Sequence, residues 1–256
     1  MVSSDFRKEA REKLSGKWGK AVCITLAYMA VVVLVNVLEN LVSDNIKAFI
    51  SLAFAIVEVP LSLGLVISFV KLFNDEEVKA FDFVTSGFNN FGKSWGIAWN
   101  IFLKMILPII LMIVSYIIMA VGIFKSASSV VLYESSSSGT YGVLIIIGII
   151  LLVVSSIWTL VRSYYYQLAY IIAAEKPELS SEELVQESER LMTGKRGKLF
   201  WLQLSFIGWA ILAAFTFGIG YLWLVPYLQF AIIAFYKFAC GNVENKDINN
   251  TNKIEE

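Results

Sequence analysis

An all-α, polytopic transmembrane bundle is what the sequence predicts: six spans arranged as three hairpins, each preceded by a short amphipathic helix on the cytoplasmic interface. Three observations carry this. Hydrophobic residues make up 57% of the 256 residues and the mean hydropathy is +0.69, against about 45–50% apolar in soluble domains. The excess is gathered into runs of the roughly 20 apolar residues that about 30 Å of hydrocarbon requires. Lysine and arginine, finally, crowd the connections on one side of those runs.

The first span runs from Ala21 to near Val42, and the second from near Ala48 to Phe73 with Glu58 and Pro60 inside it. The third runs from Ser94 to Phe124, and the fourth from Tyr141 past Trp158 and Arg162 to near Ala174. The fifth covers Leu199 to Phe217 and the sixth Tyr221 to near Cys240, with only Gly218-Ile219-Gly220 between them. No charge falls between Leu199 and Tyr236, which makes this last pair the plainest in the chain. Helices are expected throughout, because hydrocarbon offers the backbone no other donor or acceptor and the runs are too continuous for barrel strands. Pro60 and Pro226 are expected to kink their helices. The amino-terminal 20 residues are charged and no small-residue cleavage site ends the first run, so that span is expected to stay as an anchor.

Orientation follows from the basic residues. Arg7, Lys8, Arg11, Lys13, Lys17 and Lys20 precede span one; Lys71, Lys79 and Lys93 lie between spans two and three; Lys176, Arg190, Lys195, Arg196 and Lys198 lie between four and five. The opposite side has only Lys47 and Lys125. Both termini are therefore expected in the cytoplasm. Residues 1–240 read as one membrane domain, 241–256 as a polar, disordered tail, and the serine-rich segment between spans three and four as a flexible outer loop.

The lead-in to span one, AREKLSGKWGK, aligns without a gap on SERLMTGKRGK before span five; SGFNNFGKSW before span three is a weaker third copy. Each follows an amphipathic stretch whose apolar residues recur every three or four positions: Phe6, Ala10 and Leu14; then Val78, Phe81, Val84, Phe88 and Phe91; then Leu184, Val185, Ser188, Leu191 and Met192. Ser180 and Glu183 have the spacing of a capping box. Such helices suit the interface plane, with the glycine ending each helix and Lys17, Lys93 and Lys195 held at the headgroups of anionic inner-leaflet lipid. The plainer reading is that any multi-span chain places glycine and basic residues there.

Glu58 lies near mid-membrane and Lys104 at a comparable depth in the next span, so an ion pair between them is geometrically open. A proton or ion relay, or a substrate contact, is one reading. A structural pair, a neutral Glu58 or a Lys104 that snorkels is the other. Arg162, followed by Tyr164-Tyr165-Tyr166, reads as an interface anchor.

Catalytic chemistry finds no foothold. The chain has no histidine, which removes the commonest base and metal ligand, and it has no phosphate loop or zinc motif. Cys23 and Cys240 read as reduced thiols. No catalytic residue, metal or cofactor is assigned, and a net charge of zero gives no argument for nucleic acid.

The segment Ser188–Lys237, with LSFIGW at 204–209, TFGIG at 216–220 and Pro226-Tyr227, resembles the DUF975 family of uncharacterised bacterial integral membrane proteins. The lead-in EAREKLSGKWGK and residues 81–92 fit the same pattern. The resemblance implies a multi-pass protein of the bacterial cell membrane and carries no established activity. The function expected is transport or membrane homeostasis of a small solute, lipid or peptide; the alternative is a non-catalytic scaffold, assembly factor or immunity or stress partner. The partner expected is the bilayer itself, with protein partners open.

Overall fold

A computed structural model describes residues 2–131 and 138–252. Among them the chain is helical, with no strand: α1 (Ser3–Leu14), α2 (Trp18–Leu41), α3 (Asp44–Phe73), α4 (Asp82–Asn89), α5 (Phe91–Val131), α6 (Ser138–Tyr166), α7 (Ala169–Glu175), α8 (Ser181–Met192), α9 (Arg196–Leu204), α10 (Ile207–Phe215) and α11 (Tyr221–Asn252). Six stretches are long and apolar enough to cross a membrane: Trp18–Leu41, Asp44–Phe73, Phe91–Ser128, Tyr141–Glu175, Arg196–Phe215 and Tyr221–Gly241. Each starts or ends within a few residues of its expected bounds. Helix reaches into both ends of the serine-rich loop, whose residues 132–137 lie outside the described residues. The polar tail, expected to be disordered from Gly241, continues α11 to Asn252, with no proline in it to stop the helix; residues 253–256 are not described.

The chain divides into two compact units, Met1–Trp99 with Tyr166–Glu256, and Asn100–Tyr165. In the first, the core gathers at one end of the long helices. On α3 the half from Pro60 to Phe73 is largely buried, while Phe49 and Leu52 of the other half are 72% and 63% exposed. On α2 the buried residues are Ala21, Ile24, Thr25 and Ala27, and Leu41 at the far end is 75% exposed. In water such continuous apolar surface would be untenable; against lipid tails it costs nothing.

The faces read from spacing on α1 and α8 are the buried ones, and what covers them is protein. Phe6 sits edge-on to Phe235 at 5.5 Å and to Phe238 at 5.4 Å, packing α1 along α11. Leu184, Val185, Ser188, Leu191 and Met192 of α8 are buried likewise. Ser180 caps that helix as expected, with Ser180 N–H to Glu183 Oε2 at 2.8 Å and Glu183 N–H to Ser180 Oγ at 3.3 Å. On α4 the buried residues are Phe83 and Gly87, whereas Phe81, Phe88 and Phe91 of the expected face are exposed. Glycine explains the difference. A Cβ on Gly64 of α3 would stand 2.7 Å from the Gly87 nitrogen, and one on Gly87 would stand 2.9 Å from the Pro60 carbonyl carbon. The two backbones touch there, and that contact, rather than the phenylalanine spacing, sets the rotation of α4.

In the second unit α5 and α6 also meet through glycine. A Cβ on Gly148 would lie 3.0 Å from Met119 Cβ, and one on Gly122 2.8 Å from Ile145 Cγ1. Ser115 and Ser155 are buried, and each hydroxyl donates within its own helix, to Leu111 O and Leu152 O.

Candidate functional site

The repeat read from the sequence has a geometric counterpart. Gly16 and Gly194 both adopt left-handed φ, +77° and +74°, the conformation that lets a glycine close a helix and redirect the chain. The residues before them match, with Ser15 at φ −57°, ψ 127° and Thr193 at −60°, 121°. So do the lysines after them, Lys17 at −117°, 0° and Lys195 at −115°, −5°. Near Gly92 the chain passes from α4 into α5 through Asn90 without a left-handed residue, in keeping with the weaker third copy.

All three repeat lysines donate to a backbone carbonyl far along the chain. Lys17 Nζ reaches Leu72 O at 2.8 Å, Lys93 Nζ reaches Pro177 O, and Lys195 Nζ reaches Ala239 O at 3.0 Å. Leu72 lies in the last turn of α3, Pro177 just past α7, and Ala239 near the end of the α11 span. Each lysine thus stands at the start of an outgoing helix and grips the backbone where a returning apolar stretch ends or has just ended. At Leu72 a cation suits the place, since the last turn of a helix leaves carbonyls short of donors and carries the negative end of its dipole; Pro177 lies beyond α7, and Ala239 lies inside α11. Lys17 also meets Asp75 at 2.5 Å, with Lys13 at 3.1 Å, and the hydrogen bonds from Lys17 and Lys13 hold the Asp75 carboxyl below its ordinary range.

The returning ends converge on Glu175, which the sequence reading passed over. Its Oε1 accepts from Asn74 Nδ2 at 2.9 Å, just past α3, and from Lys237 Nζ at 2.8 Å on α11. Beside it Glu187 of α8 binds Arg190 at 2.7 Å and Lys176 at 3.4 Å. The Arg190 hydrogen bond, outweighing partial burial, holds the Glu187 carboxyl below its usual value.

Of the charged groups expected inside the spans, Glu58 belongs to the first unit and Lys104 and Arg162 to the second. Glu58 is exposed on α3, two residues before Pro60, within electrostatic reach of Tyr28. Lys104 is half-buried on α5 in the other unit. The structure brings together Lys104 and Arg162: Arg162 Nη2 donates to the Lys104 carbonyl at 3.2 Å. Pro108 is the reason. Having no N–H, it leaves the carbonyl four residues back, that of Lys104, without its helical donor. Pro60 does the same to Ile56, and there Trp95 Nε1 donates to the Ile56 carbonyl at 3.1 Å. Counting four back from each proline would have found both carbonyls in the sequence. Arg162→Met is therefore expected to cost about 1–3 kcal/mol by stranding an acceptor. In a Pro108→Ala background, where the alanine N–H serves Lys104, the loss should shrink at least by half. Thermal midpoints of the four proteins in detergent test this, and additive losses would exclude the account.

A cleft of about 330 Å³ opens in the first unit. Its lining includes Arg11 of α1, Trp18 of α2, Trp209 and Leu212 of α10, and Trp223 and Tyr227 of α11. Trp18 and Tyr227 lie 6.3 Å apart, and the Tyr227 hydroxyl donates to Arg7 O at 3.4 Å. Among the described residues no carboxylate pairs with Arg11, although ion pairs such as Lys17–Asp75 and Lys237–Glu175 stand near the helix ends. The cleft is thus mostly apolar and aromatic, with Arg11 as the one cationic group among its lining residues.

A helical fold with six apolar stretches of spanning length, an apolar exterior and polar clasps at one end defines a membrane-embedded protein. A family model described as "Protein of unknown function (DUF975)" matches residues 1–241, and the chain belongs to that family. Neither the curated proteins nor the solved structures give a match.

Proposed function

We propose that this is a non-catalytic, multi-pass protein of the bacterial cell membrane, with both termini cytoplasmic, that serves membrane homeostasis by holding an anionic lipid of the inner leaflet. The cleft carries the reading. Its tryptophan and leucine walls suit an acyl chain, and the Arg11 guanidinium suits a phosphate, which it can bind bidentately. The lysine asymmetry supports the orientation. The frame is three helical hairpins clasped at their bases by Lys17, Lys93 and Lys195. The buried faces of α1 and α8 tie those helices to the clasped ends, which supports placing them along the cytoplasmic interface.

Photocrosslinking in vesicles tests this. Phosphatidylglycerol bearing a diazirine near the acyl terminus is expected to label the tryptic peptide from Leu199 to Lys237, which holds both Trp209 and Trp223. Arg11→Gln should reduce the labelling about tenfold, the equivalent of one charge-assisted hydrogen bond. A phosphatidylcholine probe should label weakly in both proteins. Equal labelling by the two lipids, or labelling indifferent to Arg11, would overturn the proposal and favour transport of a solute or scaffolding.

A further inference from the structure

We infer that the α10–α11 pair is a re-entrant hairpin: it enters the bilayer from the face that carries the termini, turns within the hydrocarbon and leaves by the same face. Its partner is the acyl region of one leaflet. The inference needs α2 and α3 to cross the bilayer, and it is independent of what the cleft holds.

The membrane boundary is set by the α2–α3 pair. Glu39, Asp44 and Lys47 cluster at its far turn, and Lys17 and Lys71 stand at its base. From Lys71 to Lys47 the helix α3 covers about 36 Å at 1.5 Å per residue, enough for the roughly 30 Å of hydrocarbon between two charged levels. Between those levels Glu58 is the one charge on α3.

Ring contacts fix α11 to this ruler at its base. Phe230 lies 5.4 Å from Phe73 and 6.3 Å from Phe69, and Tyr227 lies 6.3 Å from Trp18, the first residue of α2. From Phe230 to Tyr221, where α11 begins, is nine residues, or at most about 14 Å of rise. From Tyr227 it is six residues, about 9 Å. Over the same course α2 runs on from Trp18 to Leu41, about 35 Å. Any tilt or kink of α11, including one at Pro226, makes its reach shorter. The turn that follows α10 therefore stops about 20–25 Å below the far end of α2, inside the hydrocarbon.

Three further features agree. The segment Arg196–Phe215 is broken at Ser205-Phe206 into α9 and α10, and α10 alone, nine residues, spans about 14 Å. Its turn carries no charge, unlike the turn between α2 and α3; Phe215, Phe217 and Ile219 are 80%, 100% and 61% exposed. Several of the turn's N–H groups are also satisfied within it, as hydrocarbon favours. Phe217 N–H bonds Ala214 O, Ile219 N–H bonds Thr216 O, Tyr221 N–H bonds Gly218 O, and Gly220 N–H bonds Thr216 Oγ1 at 2.8 Å. Gly218, at φ +86°, supplies the reversal, and a Cβ on Gly220 would stand 2.7 Å from Ala213 Cα.

Cysteine accessibility in the full chain decides the matter. In a Cys23→Ala, Cys240→Ala background, Ser43→Cys and Phe217→Cys are compared in sealed vesicles of both orientations, using a membrane-impermeant maleimide. Ser43→Cys is expected to react from the side opposite the termini. Phe217→Cys should react at least about tenfold more slowly from either side, because both approaches cross hydrocarbon, and should react fully once detergent removes the lipid. A nitroxide on the same cysteine should be relaxed by oxygen and not by a water-soluble nickel chelate. Reaction of Phe217→Cys from the side opposite the termini would show a full crossing. Reaction from the side of the termini would place the turn in water. Either result, failure to react in detergent, or reaction of Ser43→Cys from the side of the termini would overturn the inference.

Discussion

Replacing Gly87 by valine is expected to unfold the junction of α3 and α4 and to lower the thermal midpoint further than any exchange of an exposed apolar residue. The obstacle is backbone. The new Cβ would lie 2.9 Å from the Pro60 carbonyl carbon and 3.3 Å from Leu61 Cα, and neither atom can move without shifting α3 at its proline. Overpacking costs about 1–3 kcal/mol where side chains give way; a rigid obstacle puts this variant at or above the top of that range. Gly64→Val should behave alike, since its Cβ would meet Gly87 at 2.7 Å and 2.9 Å. Gly92→Ala is the control. It lies in α5 with no atom within 4 Å of a Cβ, so alanine should be neutral or stabilise by about 0.5–1 kcal/mol. A Gly87→Val protein with an unchanged midpoint would show that α4 is not packed on α3 through these glycines.

That contact also marks where the sequence was readable. The apolar runs showed where the long helices lie, because length and hydropathy are properties of a single segment. GKWGK and GKRGK showed where helices close, because a left-handed residue asks for glycine at Gly16 and Gly194. The rotation of α4 was not legible in the same way. Phe81, Phe88 and Phe91 make a stripe that counts well at helical spacing, whereas Gly87 contributes nothing to such a count. What decides is how closely two backbones approach, and hydropathy does not report that.

The partners of the repeat lysines were hidden for a similar reason. Lys17, Lys93 and Lys195 could be recognised as equivalent, but they bind the backbone oxygens of Leu72, Pro177 and Ala239, and every residue has such an oxygen. Glu175 likewise looks like one more charge near a helix end until the fold brings Asn74 and Lys237 to it. The pair α10–α11 is the sharpest case. Its charge-free run from Leu199 to Tyr236 makes it the most obvious pair of spans, and both stretches have spanning length; the re-entrant path inferred above rests instead on the ring contacts that seat α11 against α3 and α2, which no count of apolar residues reports.

Lys17→Met is expected to loosen the first clasp and cost about 1.5–3 kcal/mol, the range for a hydrogen bond made by a charged group. Methionine keeps the length and apolar stem of the side chain, so what is lost is the ammonium at Leu72 O. The lysine is only 20% exposed, so water replaces the ammonium poorly at Leu72 O, which keeps a long 3.4 Å bond from Asp75 N–H. Lys195→Met should lose less at Ala239 O, a carbonyl inside α11, and the two losses should add, because the clasps share no partner. Lys13→Ala removes the more exposed contact to Asp75, 40% against 20%, and should cost less than Lys17→Met. Acid separates the clasp from generic packing. Asp75 titrates below its ordinary range when folded, so the unfolded chain takes up its proton first as pH falls. Its contribution is complete above the ordinary aspartate pKa and disappears as pH drops through the depressed value. Lys17→Met, which removes the main cause of that depression, should therefore unfold with less acid dependence across this window than the parent protein. Midpoints in detergent measured from neutral pH down to about pH 3 read both effects at once. An unchanged midpoint would deny the clasp, and an unchanged acid slope would deny that Lys17 and Asp75 act together in it.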